Sequence, residues 1–312
     1  MPVKDGTKDR ELTAERLLAA SAKNWFDPLT EIDWDAPLLP DAYFIAPERC
    51  TLYGTRTWDR MSPQQRIDLT RHEVASTASV GIWFEVILMQ LLIRHAYDQD
   101  MTSRHVQYAF TEIADECRHS TMFGRMIEKF GCPNYGPGRY THELGRFLKT
   151  TGTGIQTFAA ALIAEEILDT MQREMMRDDA LQPLTRDVAR IHVIEEARHV
   201  RYAREEVTRR APRLNAAEKA VTRLLIARAA HVISRHLIHP DVYAAVGLDP
   251  KAAAREARLN TYRNETMRLW AHRLVRFFEE NDLMGGPGLA LWRRSGLVGR
   301  DYRPPAAVEA EM

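Results

Sequence analysis

The chain has 312 residues, 45% of them hydrophobic, which is enough for one large core or two smaller ones and argues against disorder. Lys plus Arg and Asp plus Glu number 43 each, so the formal net charge is zero. That balance gives no reason to expect a nucleic-acid partner or an anionic membrane surface.

Residues 1–61 read as an irregular arm, broken by Pro28, Pro37, Pro40 and Pro47, with one short helix at Asp9–Asn24. The arm begins MPVKDGTKDRELTAERLL, which lacks the apolar run of a signal peptide. From Ser62 the sequence turns helical. Long helices are expected over 62–96, 102–130, 144–178, 184–211, 215–238 and 250–282. Breakers such as YDQDMT, GCPNYGPGRYT and HPDVYAAVGLDP separate them, and no alternating strand pattern appears. The reading is an all-α protein: a helical domain over 62–285 and a tail over 286–312 that packs on it or trails from it, with no special role. The apolar stretches are interrupted by charge, so no membrane span is expected. Cys50, Cys117 and Cys132 form no CxxC and no even set, which points to a reducing, cytoplasmic setting. Without G-x-G-x-x-G, a Walker-type loop or G-x-S-x-G, bound nicotinamide, flavin or nucleotide has no support.

The chemistry lies in a repeat. Glu85 is the only ionisable residue in SVGIWFEVILMQLLI. A solvent-facing Glu85 is the plain alternative, but no side of that segment looks solvated, and a lone buried carboxylate is costly. The next helix carries IADECRHS, with Glu116 and His119 as Glu-x-x-His. In FAAALIAEEILDTM, helical phase places Glu165 with Phe158, Ala161, Leu162, Leu168 and Gln172, and turns Glu166 outward with Asp169, Thr170 and Arg173. The fourth helix carries HVIEEARH, with Glu196 and His199 as a second Glu-x-x-His. Glu85 to Glu165, Glu116 to Glu196 and His119 to His199 are each 80 residues apart, and Asp115/Glu195 and Arg118/Arg198 keep the same offset. One Glu-x-x-His is expected by chance on the order of once in such a chain. Two in phase, each 31 residues after a glutamate in an apolar helix, are a much stronger signal. Bundles that hold two metal ions use this arrangement: a Glu from each of two helices and a Glu-x-x-His from each of the other two. Carboxylate with imidazole suits iron or manganese.

His192 stands one turn before Glu196 on the same stripe, where its repeat mate is Glu112, so the second half offers an additional imidazole. Metal-bound imidazoles donate their outer N–H to carboxylates, and Asp115, Glu195, Glu112 and Asp169 are candidates. Pairing of these with Arg118, Arg198 or Arg201 is the alternative. Trp83, Phe84, Leu88 and Met89 flank Glu85. Phe158, Leu162 and Met171 lie near Glu165, and Met122 and Phe123 follow His119. Of these, Trp83, Phe84, Leu88, Phe158 and Leu162 are the candidate substrate contacts, although most such residues are ordinary core. Cys117 falls between ligands but on the wrong face, and Glu73 is out of phase with Glu85 and has no repeat mate.

Four carboxylates and three imidazoles, in the order Glu85, Glu116, His119, Glu165, His192, Glu196, His199, resemble the non-haem diiron N-oxygenases of the p-aminobenzoate N-oxygenase (AurF-like) family. The resemblance covers about residues 62–285. It implies a ferritin-like bundle with additional helices, a homodimer, and a centre of two iron ions that, once reduced, captures O2 as a peroxo species. It further implies oxidation of the nitrogen of a small aromatic amine, through hydroxylamine and nitroso to nitro, in natural-product (antibiotic) biosynthesis. Electrons would come from an external reductase or ferredoxin. Carbon hydroxylation or desaturation at the same site is the alternative, with ferroxidase or iron-storage work behind it. Arg94, Arg118, Arg198 and Arg201 are the available cations for an acidic substrate, and none matches a motif.

Overall fold

The computed structural model describes residues 10–152 and 154–305. Helix accounts for 74% of the described residues, which include no strand beyond one isolated bridge, Tyr43 to Leu181.

Four long helices form the centre. These are α4 (Pro63–Tyr97), α5 (Arg104–Lys129), α7 (Ile155–Met175) and α8 (Pro183–Arg210). Short connections make α4–α5 and α7–α8 helical hairpins, and α5 packs on α8 while α4 packs on α7. The start of α4 is fixed locally: Ser62 and Gln65 form a reciprocal capping box, and Pro63 occupies the first turn.

α4 is also the one described helix long and apolar enough to cross a membrane, with a window of mean hydropathy 1.6. More than half of that window is buried inside the protein, and Glu85 within the helix is 2% exposed. Its apolar character belongs to the bundle interior.

Two expected helices are broken. The stretch expected over 144–178 is divided between α6 (Arg139–Thr151) and α7. Gly154 adopts φ 59°, which only glycine takes readily, and Arg94 donates to the carbonyls of Lys149 and Gly152 at the end of α6. The stretch over 250–282 becomes α11 (Pro250–Leu259) and α12 (Thr261–Glu280). Asn260 ends the first and caps the second, while its amide donates to the carbonyls of Thr51 and Tyr53.

The first 61 residues contain α1 (Arg10–Lys23), α2 (Pro28–Glu31) and α3 (Arg56–Arg60). α1 packs on α5 and α8. The Gln182 side chain holds the arm by accepting from the Leu39 N–H and donating to the Leu39 and Ala42 carbonyls. α9 (Ala216–His236) covers α7, α10 (Asp241–Ala245) touches α4, and α13 (Leu289–Ser295) seats the tail on α9. Trp292 of α13 is fully buried near Phe278. Gly288 permits this approach, since a Cβ there would lie 2.6 Å from the Arg223 carbonyl oxygen.

Candidate metal centre

Each central helix turns its expected donors inward. α4 brings Glu85, α5 brings Glu116 and His119, α7 brings Glu165, and α8 brings His192, Glu196 and His199. None of the seven is more than 5% exposed. Their donor atoms fall into three overlapping groups, each within 4.8 Å: Glu116, His119, Glu196 and His199; Glu85, His119 and His192; and Glu165, His192 and Glu196. Among the described residues no other side chains form such a group.

The Glu-x-x-His spacing lays each carboxylate beside its own imidazole. His119 Nδ1 is 3.3 Å from Glu116, and His199 Nδ1 is 3.0 Å from both Glu196 and Glu116. The outer nitrogens point away and cross over. His119 Nε2 meets Glu195 at 2.9 Å, and His199 Nε2 meets Asp115 at 3.1 Å. Each half of the repeat thus orients the imidazole of the other. An Nε2–H donated to a carboxylate leaves the Nδ1 lone pair facing the centre. His192 presents the opposite nitrogen: Nδ1 bonds the Gln172 amide oxygen at 2.5 Å, and Nε2 faces inward, 3.8 Å from Glu85 and 3.9 Å from Glu196.

A profile of the family described as p-aminobenzoate N-oxygenase AurF matches residues 7–282. This chain belongs to that family. Two relatives, the uncharacterised proteins Mb0909 of Mycobacterium bovis and Rv0885 of Mycobacterium tuberculosis, are each 30% identical over 222 residues. The match covers 69% of this chain and 65% of the length of each relative. AurF-family proteins are diiron oxygenases, and the chain has the buried Glu and His groups that such a centre needs.

The residues present fit a pair of cations. Glu196 Oε1 and His192 Nε2 are buried without a hydrogen-bond partner, a costly condition that a bound cation relieves. Burial and the charge of Glu116 push the Glu85 carboxyl up to about 8. Burial and the charges of Glu196 and Glu116 push Glu165 well above the carboxylate range. Burial, then the charge of His119, holds His192 down to about 4, so its imidazole is neutral, the form that ligates metal. Burial opposes charge on His119 as well, but its bonds to Glu116 and Glu195 raise it to about 10. Without cations, protons take their place in this cluster.

Of the expected outer carboxylates, Asp115 and Glu195 orient imidazoles and also pair with arginine. Arg198 is 3.3 Å from Asp115 and 3.8 Å from Glu195, while Arg118 bonds Asp115 and lies 3.7 Å from Glu195. Asp169 does not share this role, because Arg173 one turn on bonds it at 2.7 Å. Glu112 is buried but bonds no imidazole, and one of its oxygens has no partner. Glu166, expected outside, is 4% exposed because Arg204 folds over it as a paired cation. Two supporting residues were missed by sequence reasoning. Ser120 donates to Glu85 at 2.5 Å, and Gln172 orients His192. Gln172 lies on the Glu165 stripe, two turns on, and that was its only signal. The arm also closes the cluster: the Phe26 N–H donates to Glu195, the Asn24 carbonyl accepts from Arg198, and the Arg118 guanidinium lies 5.2 Å over the Trp25 ring.

A cavity of about 400 Å³ reaches Glu165. Trp83, Phe84 and Leu88 line it as expected, together with Ala161 and Ala164 of α7. Leu148 of α6 and Val232 of α9 close its other sides. Phe158 and Leu162 do not line it. Glu165 sits on the border between two stripes of α7, and these residues belong to the core stripe, where Phe158 packs on His95 and Tyr202. None of Arg94, Arg118, Arg198 and Arg201 lines the cavity, and Arg228 is the one cation among its described lining residues.

Proposed function

We propose that this chain is a non-haem diiron monooxygenase that oxidises the nitrogen of a small aromatic amine. The observation that carries this reading is Glu165, which belongs at once to the buried donor cluster and to the wall of the apolar cavity. Two iron ions held by Glu85, Glu116, His119, Glu165, His192, Glu196 and His199 would supply the electrons that O2 needs before it reacts.

The chain's own part follows from its residues. Asp115, Glu195 and Gln172 fix the three imidazoles, so the donor geometry is set before anything binds. Trp83, Phe84 and Leu88 keep water from the Glu165 end and accept a flat ring. The volume lies within the usual range for small-molecule pockets. An arylamine is uncharged near neutral pH, because its nitrogen lone pair is shared with the ring. It can therefore enter a wall without a buried counter-charge, where an alkylammonium pays a desolvation cost. Arg228, at the cavity and bonded to the Tyr140 hydroxyl at 2.6 Å, is the cation available to an acidic ring substituent.

The apolar lining equally favours a second reading, hydroxylation or desaturation of carbon. An apolar cavity of this size argues against iron storage. The rest of the proposal comprises an external reductase or ferredoxin, a homodimer, a cytoplasmic setting and a place in natural-product biosynthesis.

The test is to count iron per chain, supply electrons and O2, and offer an arylamine panel alongside apolar substrates without nitrogen, with products read by mass spectrometry. About two irons with hydroxylamine, nitroso or nitro products supports the proposal. Products hydroxylated only on carbon shift it to the second reading. No iron after reconstitution sinks both.

A further inference from the structure

A second cavity, of about 360 Å³, lies where α9, α11, α12 and the tail meet. Arg235 comes from α9, Arg258 from α11, and Arg263 and Arg268 from α12. Arg293 and Arg294 of α13 and Arg300 beyond it complete the wall. Seven of its eleven lining residues are therefore arginine, and none of the others is acidic.

Elsewhere in the protein, several arginines are neutralised by carboxylates. Arg204 pairs with Glu166, Arg210 with Glu206 and Arg223 with Asp282. In this cavity, none of the seven forms an ion pair among the described residues. Two of them are held by backbone carbonyls. Arg263 donates to Ser234 at 3.1 Å, and Arg293 donates twice to Tyr302, at 2.7 and 3.1 Å. Burial lowers the Arg263 pKa, and Arg235 and Arg258 lower it further, while Tyr243 and Glu73 behind it act the other way. Burial and the charge of Arg258 lower Arg235.

The chain as a whole has no excess of positive charge, so this concentration is local. Like charges gathered in one concavity repel, and the arrangement is stabilised when an anion enters. A single carboxylate leaves most of that repulsion in place. A diphosphate presents several oxygens to guanidinium forks converging from different elements, the geometry in which arginine outperforms lysine. Enclosure on several sides favours a small ligand over the flat acidic face of a protein.

We propose that this arginine cavity binds a diphosphate group, free or carried on a nucleotide. The assignment is independent of the diiron reading.

The experiment titrates full-length protein with inorganic pyrophosphate and with ADP by calorimetry at two salt concentrations, and follows the melting temperature in parallel. The comparison variants are the double change Arg258→Gln with Arg294→Gln and, as a control elsewhere, Arg276→Gln. The expected result is saturable binding that weakens with salt, a rise in melting temperature with ligand, and at least about tenfold weaker binding in the double variant only. Equal affinities assign the contacts to phosphate alone, and tighter ADP binding adds the nucleoside; both support the site. Absence of binding to the wild type overturns the proposal whatever the variants do, as does binding that the double variant leaves unchanged. A chain ending at Pro305, without Glu309 and Glu311, is the last arm. If only that form binds pyrophosphate, the protein's own acidic tail is the occupant and the proposal fails.

Discussion

The two halves of the bundle repeat each other at an offset of 80 residues but do different work. Both supply a glutamate, a Glu-x-x-His and an acid–arginine pair, and each orients the other's imidazole. The first half ties its lone glutamate down, since Ser120 donates to Glu85. The repeat mate of Ser120 is Val200, and Glu165 makes no hydrogen bond among the described residues. The second half replaces Glu112 by His192 and Leu92 by Gln172, which together create the additional imidazole and its holder. The cavity opens on that same half, at Glu165. A near-symmetric frame builds the donor cluster, and its asymmetry decides which side faces the cavity.

The sharpest way to break this comparison is to remove a donor that both halves use. Glu116→Ala takes away the carboxylate that both His119 and His199 touch, so bound iron should fall well below two per chain and turnover by more than about 100-fold. Elemental analysis and a product assay check it. The crossed carboxylates come next. Asp115→Asn and Glu195→Gln should each weaken iron binding or activity by about 10- to 100-fold, and by similar factors if the crossing is functionally symmetric. A much larger loss in one would show that a single half dominates.

Gln172→Leu installs the residue of the first half in the second. It frees His192 without touching His119 or His199, and a loss of about tenfold in metal affinity is expected. An unchanged affinity would mean that His192 needs no holder.

One effect bears on stability rather than on metal binding and lies outside the cluster, in the first half's own helix. Glu73 is 3% exposed and accepts from the Thr51 N–H and hydroxyl. Burial raises its carboxyl to about 7 from an ordinary 4.5, against those hydrogen bonds. The folded state then holds a proton that the unfolded state has released between these values. Stability contributed there is present at low pH, falls as pH rises from about 4.5 to about 7, and is flat above. The full span is on the order of 3 kcal/mol. Glu73→Gln removes this dependence, so the melting-temperature difference between variant and wild type should change in the variant's favour from pH 5 to pH 8.

Much of this protein was legible before folding. Helical period, breakers and a repeated Glu-x-x-His depend on local spacing, so they placed the four central helices and the seven inward donors. The break in 144–178 was not read from the sequence, although Gly152 and Gly154 stand there, and its geometry involves Arg94 from another helix. The sequence could not say which neighbour a polar side chain finds. Asp169 met Arg173, and Glu166 was buried because Arg204 came with it. Phe158 and Leu162 went to the core because the packing of α6 and α9 chose the other stripe of α7 for the cavity. The arm's contacts with Glu195, Arg198 and Arg118, and the seven arginines gathered from four elements, join residues far apart in the chain. Sequence by itself determined the fold class and the donor cluster, because both follow from periodicity within single helices. Only tertiary packing decided the orienting hydrogen bonds and both cavities, because those depend on which helices meet and at what height.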